Sequence, residues 1–143
     1  MKAYIIDASV GTKWFIEEPH ADVAIALLDR LEKRQCRIIV PEIFYVEIAS
    51  AYWKRVRRKI MTFQDAVRNH DQIMALKLER YSDHELSDIA LKNALQYKIS
   101  TYDALYLSLA EIYLAPLVTA DDSLFKACKD RFDFIEHLSE MSF

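Results

Sequence analysis

Four carboxylates stand apart from the other acids of this chain because their neighbours are apolar. They are Asp7 in IIDAS, Glu47 in FYVEIAS, Asp103 in TYDALYL and Asp121 in VTADDS. Glu17, Glu18, Asp22, Glu32, Asp88 and Asp130 read instead as solvated surface. A carboxylate is almost never fully buried unless paired, so Glu47, flanked by Phe44, Val46, Ile48 and Ala49, is hard to place as decoration. Each of the others has a structural alternative. Asp7 could cap a short helix begun by Ser9 and Val10, and Asp121 could cap another. Asp103 could sit in a first helical turn, where the dipole favours an anion by about 0.3–1 kcal/mol. Taken together they imply more. Acids that converge in one pocket repel, so their pKa values rise or a cation joins them. An all-oxygen anionic site suits Mg²⁺ or Mn²⁺, which can activate a water for in-line attack at phosphorus. The chemistry implied is metal-assisted phosphodiester hydrolysis.

The elements that must position these residues follow from periodicity. Ala3–Ile6 is a short β-prone apolar run ending at Asp7, and residues 37–40 (RIIV) form a second. Leu117–Thr119 leads to Asp121, residues 132–135 close the chain as a strand, and 78–81 is a weaker one. Helical spacing covers 20–34, and Pro41 stands where a first helical residue would open a helix through Glu47 to about residue 59. Thr62 reads as the N-cap of a third helix whose apolar side carries Val67, Ile73, Met74 and Leu76. Ser82 and Glu85 make a capping box for the next. Ser100 or Thr101 caps a helix to Leu114, and a short one spans 124–129. Strands of four to five residues alternating with helices predict an α/β fold with a parallel sheet. Such sheets bind ligands outside the carboxyl ends of their strands, where Asp7 and Asp121 lie.

Composition narrows the field. The chain has 143 residues, one Gly and three Pro, and a net charge of −3. That length is expected to form a single domain over residues 1–143. One glycine excludes a P-loop and a dinucleotide fingerprint, which need two and three in a short span. Cys36 and Cys128 are far apart and the four histidines scattered, so no clustered zinc ligand set forms. Residues 1–10 (MKAYIIDASV) lack the apolar stretch of a signal peptide, and no window is apolar enough to span a membrane. A soluble protein of the cytoplasm is expected.

Four blocks now carry a resemblance: Ile5-Ile6-Asp7-Ala8-Ser9-Val10, residues 40–47 (VPEIFYVE), residues 100–110 (STYDALYLSLA) and residues 117–121 (LVTAD). In this order and spacing, across nearly the whole chain, the sequence resembles the PIN domain, specifically the small VapC-type toxin ribonucleases. The resemblance implies a three-layer α/β/α fold with a central short-stranded parallel sheet. It implies an acidic site of Asp7, Glu47, Asp103 and Asp121 that binds Mg²⁺ or Mn²⁺ and cleaves RNA, Asp7 and Asp103 being the direct ligands. Ser9 and Thr119 match hydroxyl positions that help orient such a site. Asp122, beside Asp121, leaves the fourth acid open by one residue. The resemblance also implies a homodimer silenced by a VapB-type antitoxin, though a small PIN domain could process RNA constitutively.

Residues 54–59 (KRVRRK) put five cations at the end of the Glu47 helix. Lys54, Arg55, Arg57 and Arg58 could hold RNA phosphates, or simply complement a helix C-terminus. Nearby Tyr45, Tyr52 and Trp53 could stack on bases or belong to core or interface. Phosphatases that form an aspartyl-phosphate want an Asp where Ser9 stands. A receiver domain wants an acid beside Asp7, where Ile6 and Ala8 stand. The remaining alternative is a PIN-like scaffold that binds RNA or protein without cutting.

Overall fold

The computed structural model describes residues Met1–Phe143. Five strands form one sheet: β1 (Ala3–Ile6), β2 (Arg37–Pro41), β3 (Glu79–Tyr81), β4 (Leu117–Thr119) and β5 (Ile135–His137). Their order is β3-β2-β1-β4-β5, with every pair parallel. The helices are α1 (Ala8–Gly11), α2 (Ala21–Glu32), α3 (Ile43–Arg57), α4 (Phe63–Ala75), α5 (Asp83–Tyr97), α6 (Thr101–Tyr113) and α7 (Asp122–Cys128). Right-handed crossovers carry α1–α4 over one face of the sheet and α5–α7 over the other. Accordingly α1 packs on α3 and α3 on α4, while α6 packs on α5 and beneath β1, β2 and β4. Covered on both faces, β1, β2 and β4 are unbroken apolar runs rather than alternating ones. Ile5, Ile6, Ile39, Val40, Leu117 and Val118 have no solvent exposure.

The order of strands reverses at β1, whose neighbours β2 and β4 feed helices on opposite faces. An open parallel sheet has its crevice at such a point, outside the carboxyl ends of the strands. Asp7 follows β1 and Asp121 follows β4, so the topology opens a cleft between them.

Several local expectations are corrected. Pro41 is the last residue of β2, paired with Tyr81, and the helix begins at Ile43. The Glu42 N–H continues the ladder to the Tyr81 carbonyl at 3.2 Å, so the missing donor of Pro41 falls at a strand end. The last strand lies at Ile135–His137 and overlaps the apolar run at 132–135 only at Ile135, because Phe132 packs on Tyr97 instead. Of that run, Ile135 pairs with Leu117 and the Phe134 carbonyl accepts from the Leu117 N–H. Val67 and Met74 of α4 face outward, leaving Ile73 as its buried anchor. The short helix α7 starts two residues early because Asp121 caps it. At Ser82 half of the capping box is present: its hydroxyl accepts from the Glu85 N–H at 3.3 Å. No helix is long and apolar enough to cross a membrane.

Gly11, the only glycine, is required by packing. A Cβ there would lie 2.7 Å from Phe44 Cζ and 2.9 Å from Ile48 Cδ1, side chains with no exposure that flank Glu47 on α3. Gly11→Ala should therefore lower the unfolding free energy by about 1–3 kcal/mol in urea titration. An unchanged midpoint would show that α1 and α3 can move apart.

Candidate active site

Asp7 is the innermost acid, 5 % exposed at the end of β1. It occupies the N-cap position of α1 but its side chain does not cap it. Instead Ser9 Oγ donates to Oδ1 and Thr119 Oγ1 to Oδ2, each at 2.5 Å. Both hydroxyls are themselves oriented. Ser9 Oγ accepts from the Ala120 N–H at 2.9 Å, and Thr119 Oγ1 from the Asp121 N–H at 3.0 Å. A hydroxyl has one proton to give, and accepting from an amide directs that proton at the carboxylate. Ser9 and Thr119, singled out by resemblance, thus tie Asp7 of β1 to the loop after β4.

That loop places Asp121. Its Oδ1 accepts from the Ser123 and Leu124 N–H groups at 2.9 and 3.2 Å, capping α7. The cap role read from the sequence is therefore real, and it leaves Oδ2 uncommitted. Asp121 is also close enough to Asp7 and Asp103 to raise both their pKa values. Asp122 turns away, its Oδ1 2.8 Å from His137 Nε2 and its side chain 78 % exposed. Geometry therefore puts Asp121, not Asp122, with the other acids.

Asp103 lies in the first turn of α6, which starts there because Ser100 Oγ accepts the Asp103 N–H at 3.0 Å. Glu47 lies in the second turn of α3, half-buried, and its Oε1 accepts from the Tyr106 hydroxyl at 2.5 Å. Tyr106 was not foreseen as a site residue. It falls three residues after Asp103, on the same helix face, but within YLSLA it reads as core.

The electrostatics have one dominant cause. Burial raises the Asp7 carboxyl to about 6 despite the hydroxyls that favour its charged form, with repulsion from Asp103 and Asp121 adding to it. Burial likewise raises Asp103, helped by Asp121. It raises Glu47 too, where Asp103 and Asp83 add and the Tyr106 hydrogen bond opposes. No Lys or Arg of the chain pairs with any of the four. The donor set fits a hard divalent cation: all oxygen, in excess negative charge, with Glu47 Oε2 and Asp121 Oδ2 free of hydrogen bonds within the chain. No three side chains are gathered into a complete cage. Mg²⁺ needs only one or two carboxylates and keeps its waters, so it does not require one.

The basic run is divided by its surroundings. Arg55 is bound at 2.5 Å to Glu18, which also takes Lys13 Nζ at 2.8 Å. Glu18 is thus no surface acid, and Arg55 is not free for phosphate. Although burial alone would raise it, Lys13 and Arg55 hold the Glu18 carboxyl below its usual range. Arg57 lies over the Trp53 ring at 5.0 Å. Lys54 and Arg58, seven and eleven residues beyond Glu47, fall within about 20° of its face of the helix.

A cost at Asp7 has a measurable sign. Its carboxyl titrates near 3.8 when unfolded and about 6 when folded, so the folded state holds the proton more tightly. Stability is therefore lost as pH rises from about 4 to about 6 and stays lost above. In EDTA, Asp7→Asn should gain on the wild type across that window, by about 2–3 kcal/mol at pH 7. Denaturation of both proteins at pH 4 and 7 measures it. A difference that does not change with pH would show that Asp7 is not burdened by its charge.

Comparison with known proteins agrees with this architecture. The PIN domain family model matches residues 4–130. A curated relative, Ribonuclease VapC3 of Pyrobaculum aerophilum, is 26 % identical over 124 residues, covering 84 % of this chain and 90 % of that protein. Among solved structures, PAE2754 of the same organism superposes with a TM-score of 0.71 at 22 % identity, over 96 % of this chain and 85 % of that one. A toxin-antitoxin complex from Klebsiella pneumoniae contains a chain with a TM-score of 0.65 at 16 % identity, over 96 % and 99 %. With the family model spanning all four acids and most of the chain, the chain belongs to the PIN domain family.

Proposed function

We propose that this chain is a divalent-metal-dependent endoribonuclease, the toxin of a type II toxin–antitoxin pair. The observation that carries this is an internal contrast between acids. Glu18 is half-buried, paired with two cations and held low. Asp7, Glu47 and Asp103 are buried or half-buried, have no cation partner and are all raised. A fold that gives one acid two cations and leaves this group with none has room for a cation from outside.

Asp7 and Asp103 would hold Mg²⁺ or Mn²⁺ directly, with Glu47 and Asp121 on its waters or on a second ion. When bound, such an ion activates water for attack at phosphorus and offsets charge on the phosphate oxygens. Ser9 and Thr119 keep both Asp7 oxygens in place, and the α7 cap fixes Asp121. Lys54 and Arg58 would track the RNA backbone toward Glu47. The relative that is a ribonuclease and the neighbour in a toxin-antitoxin complex support this function and an antitoxin partner, which the resemblance to VapC-type toxins makes VapB-type. A homodimer acting in the cytoplasm belongs to the same proposal.

The test is cleavage of a mixed tRNA and rRNA pool by the purified protein with Mg²⁺, Mn²⁺ or EDTA, beside Asp103→Asn. Cutting that needs the metal and disappears in the variant is expected. Folded protein that binds RNA yet cuts nothing with either metal would favour a scaffold. For the basic run, Lys54→Ala and Arg58→Ala should each reduce the salt dependence of RNA binding by a log–log slope of about 0.7. Arg55→Ala should leave that slope alone and lower the melting temperature, since it strips a partner from Glu18. Equal slopes in all three variants would remove the assigned track.

A further inference from the structure

We propose that Tyr106 is a positioning residue for the nuclease site, holding Glu47 by one carboxylate oxygen so that the other serves the metal. This rests on the nuclease function proposed above. The ring of Tyr106 is buried in the core, 1 % exposed, and only its hydroxyl emerges among the acids. There it donates to Glu47 Oε1 at 2.5 Å. Glu47 has no other partner: no cation pairs with it, and no backbone amide reaches it. Three side-chain torsions would otherwise let it swing to solvent, since it is only half-buried.

Tyr106 is suited to this role by what it cannot do. A phenol ionises only at about pH 10 in its ordinary state, well above the range in which the enzyme would work. The hydroxyl therefore remains a neutral donor and adds no negative charge to a cluster already in excess. Its helix position contributes as well. Asp103 and Tyr106 share a face of α6, one turn apart, so a single rigid element presents one acid and anchors another from α3.

A simpler account is that a buried tyrosine hydroxyl needs some partner and takes the nearest. Tyr52 argues against necessity. It is equally buried, 2 % exposed, and its hydroxyl has no partner within the chain. The fold tolerates an unpaired phenol there, so the Tyr106–Glu47 bond is not demanded by burial alone.

The experiment compares wild type, Tyr106→Phe and Tyr52→Phe for Mn²⁺ binding by electron paramagnetic resonance and for RNA cleavage. Phenylalanine keeps the packed ring, and melting curves confirm that each variant folds. Loss of a partner that orients a carboxylate at a metal site typically costs about 10–100-fold in affinity or activity. Tyr106→Phe should show that loss in Mn²⁺ affinity and in kcat, with KM for RNA unchanged and activity recovering in excess Mn²⁺. Tyr52→Phe should match the wild type. Because Tyr106 acts through Glu47, Tyr106→Phe should add nothing to Glu47→Gln. Wild-type Mn²⁺ affinity in Tyr106→Phe, or losses that multiply in the double variant, would overturn the assignment while leaving the nuclease intact. A wild type that neither binds Mn²⁺ nor cuts RNA would overturn both.

Discussion

A carboxylate buried at the end of the central strand sets the terms for everything around it. Asp7 cannot be solvated where it stands, and no side-chain cation reaches it, so its charge is tolerated only through hydrogen bonds. Ser9 and Thr119 supply them, and neither hydroxyl could do so alone in a fixed direction. The Ala120 and Asp121 amides orient the two protons. The lattice of four bonds spans β1 and β4, the two strands that flank the crevice of the sheet. Backbone pairing brings the strands together, and the hydroxyl lattice registers their ends. Asp121 stands where it does because its own N–H is part of that lattice.

The other acids arrive by helix starts rather than strand ends. Ser100 fixes where α6 begins and so puts Asp103 in its first turn, facing Asp121. Asp121 in turn begins α7 with one oxygen and faces the cleft with the other. Capping and chemistry are therefore not competing explanations for this residue. An N-cap constrains one carboxylate oxygen and the side-chain torsions, which is the preorganisation that a metal ligand benefits from.

Much of this was legible in the sequence, and the failures have physical causes. Asp7, Asp103 and Asp121 were readable because short apolar runs and Ser caps announce strand ends and helix starts locally. Glu47 was readable because its neighbours are apolar. Pro41 misled because a fixed φ suits a helix start and a strand end alike, and only the pairing with Tyr81 decides. The edge strand β5 was misplaced because its polar Glu136 and His137 carry no burial signal, while Phe132 carries a strong one for packing against Tyr97. Glu18–Arg55 and Tyr106–Glu47 could not be read at all. Their partners lie 37 and 59 residues apart, and nothing local distinguishes Tyr106 from a core tyrosine or Glu18 from a surface acid.

Those two illegible contacts share an element, and they explain why Glu47 stands in the site. Along α3, acid lies near the N-terminus and cations at the C-terminus, the arrangement a helix dipole favours. That preference alone leaves the helix free to rotate or slide. Three contacts remove the freedom. Near its start, Phe44 and Ile48 close onto Gly11 with no room for a Cβ. Near its end, Arg55 is clasped by Glu18, which Lys13 holds from the turn after α1. Between them Glu47 is pinned by Tyr106 from across the sheet. Rotation of α3 by one residue, about 100°, would break all three at once. The position of the Glu47 carboxylate is thus a property of how α3 docks, which is why the sequence around Glu47 could identify the residue but not what holds it.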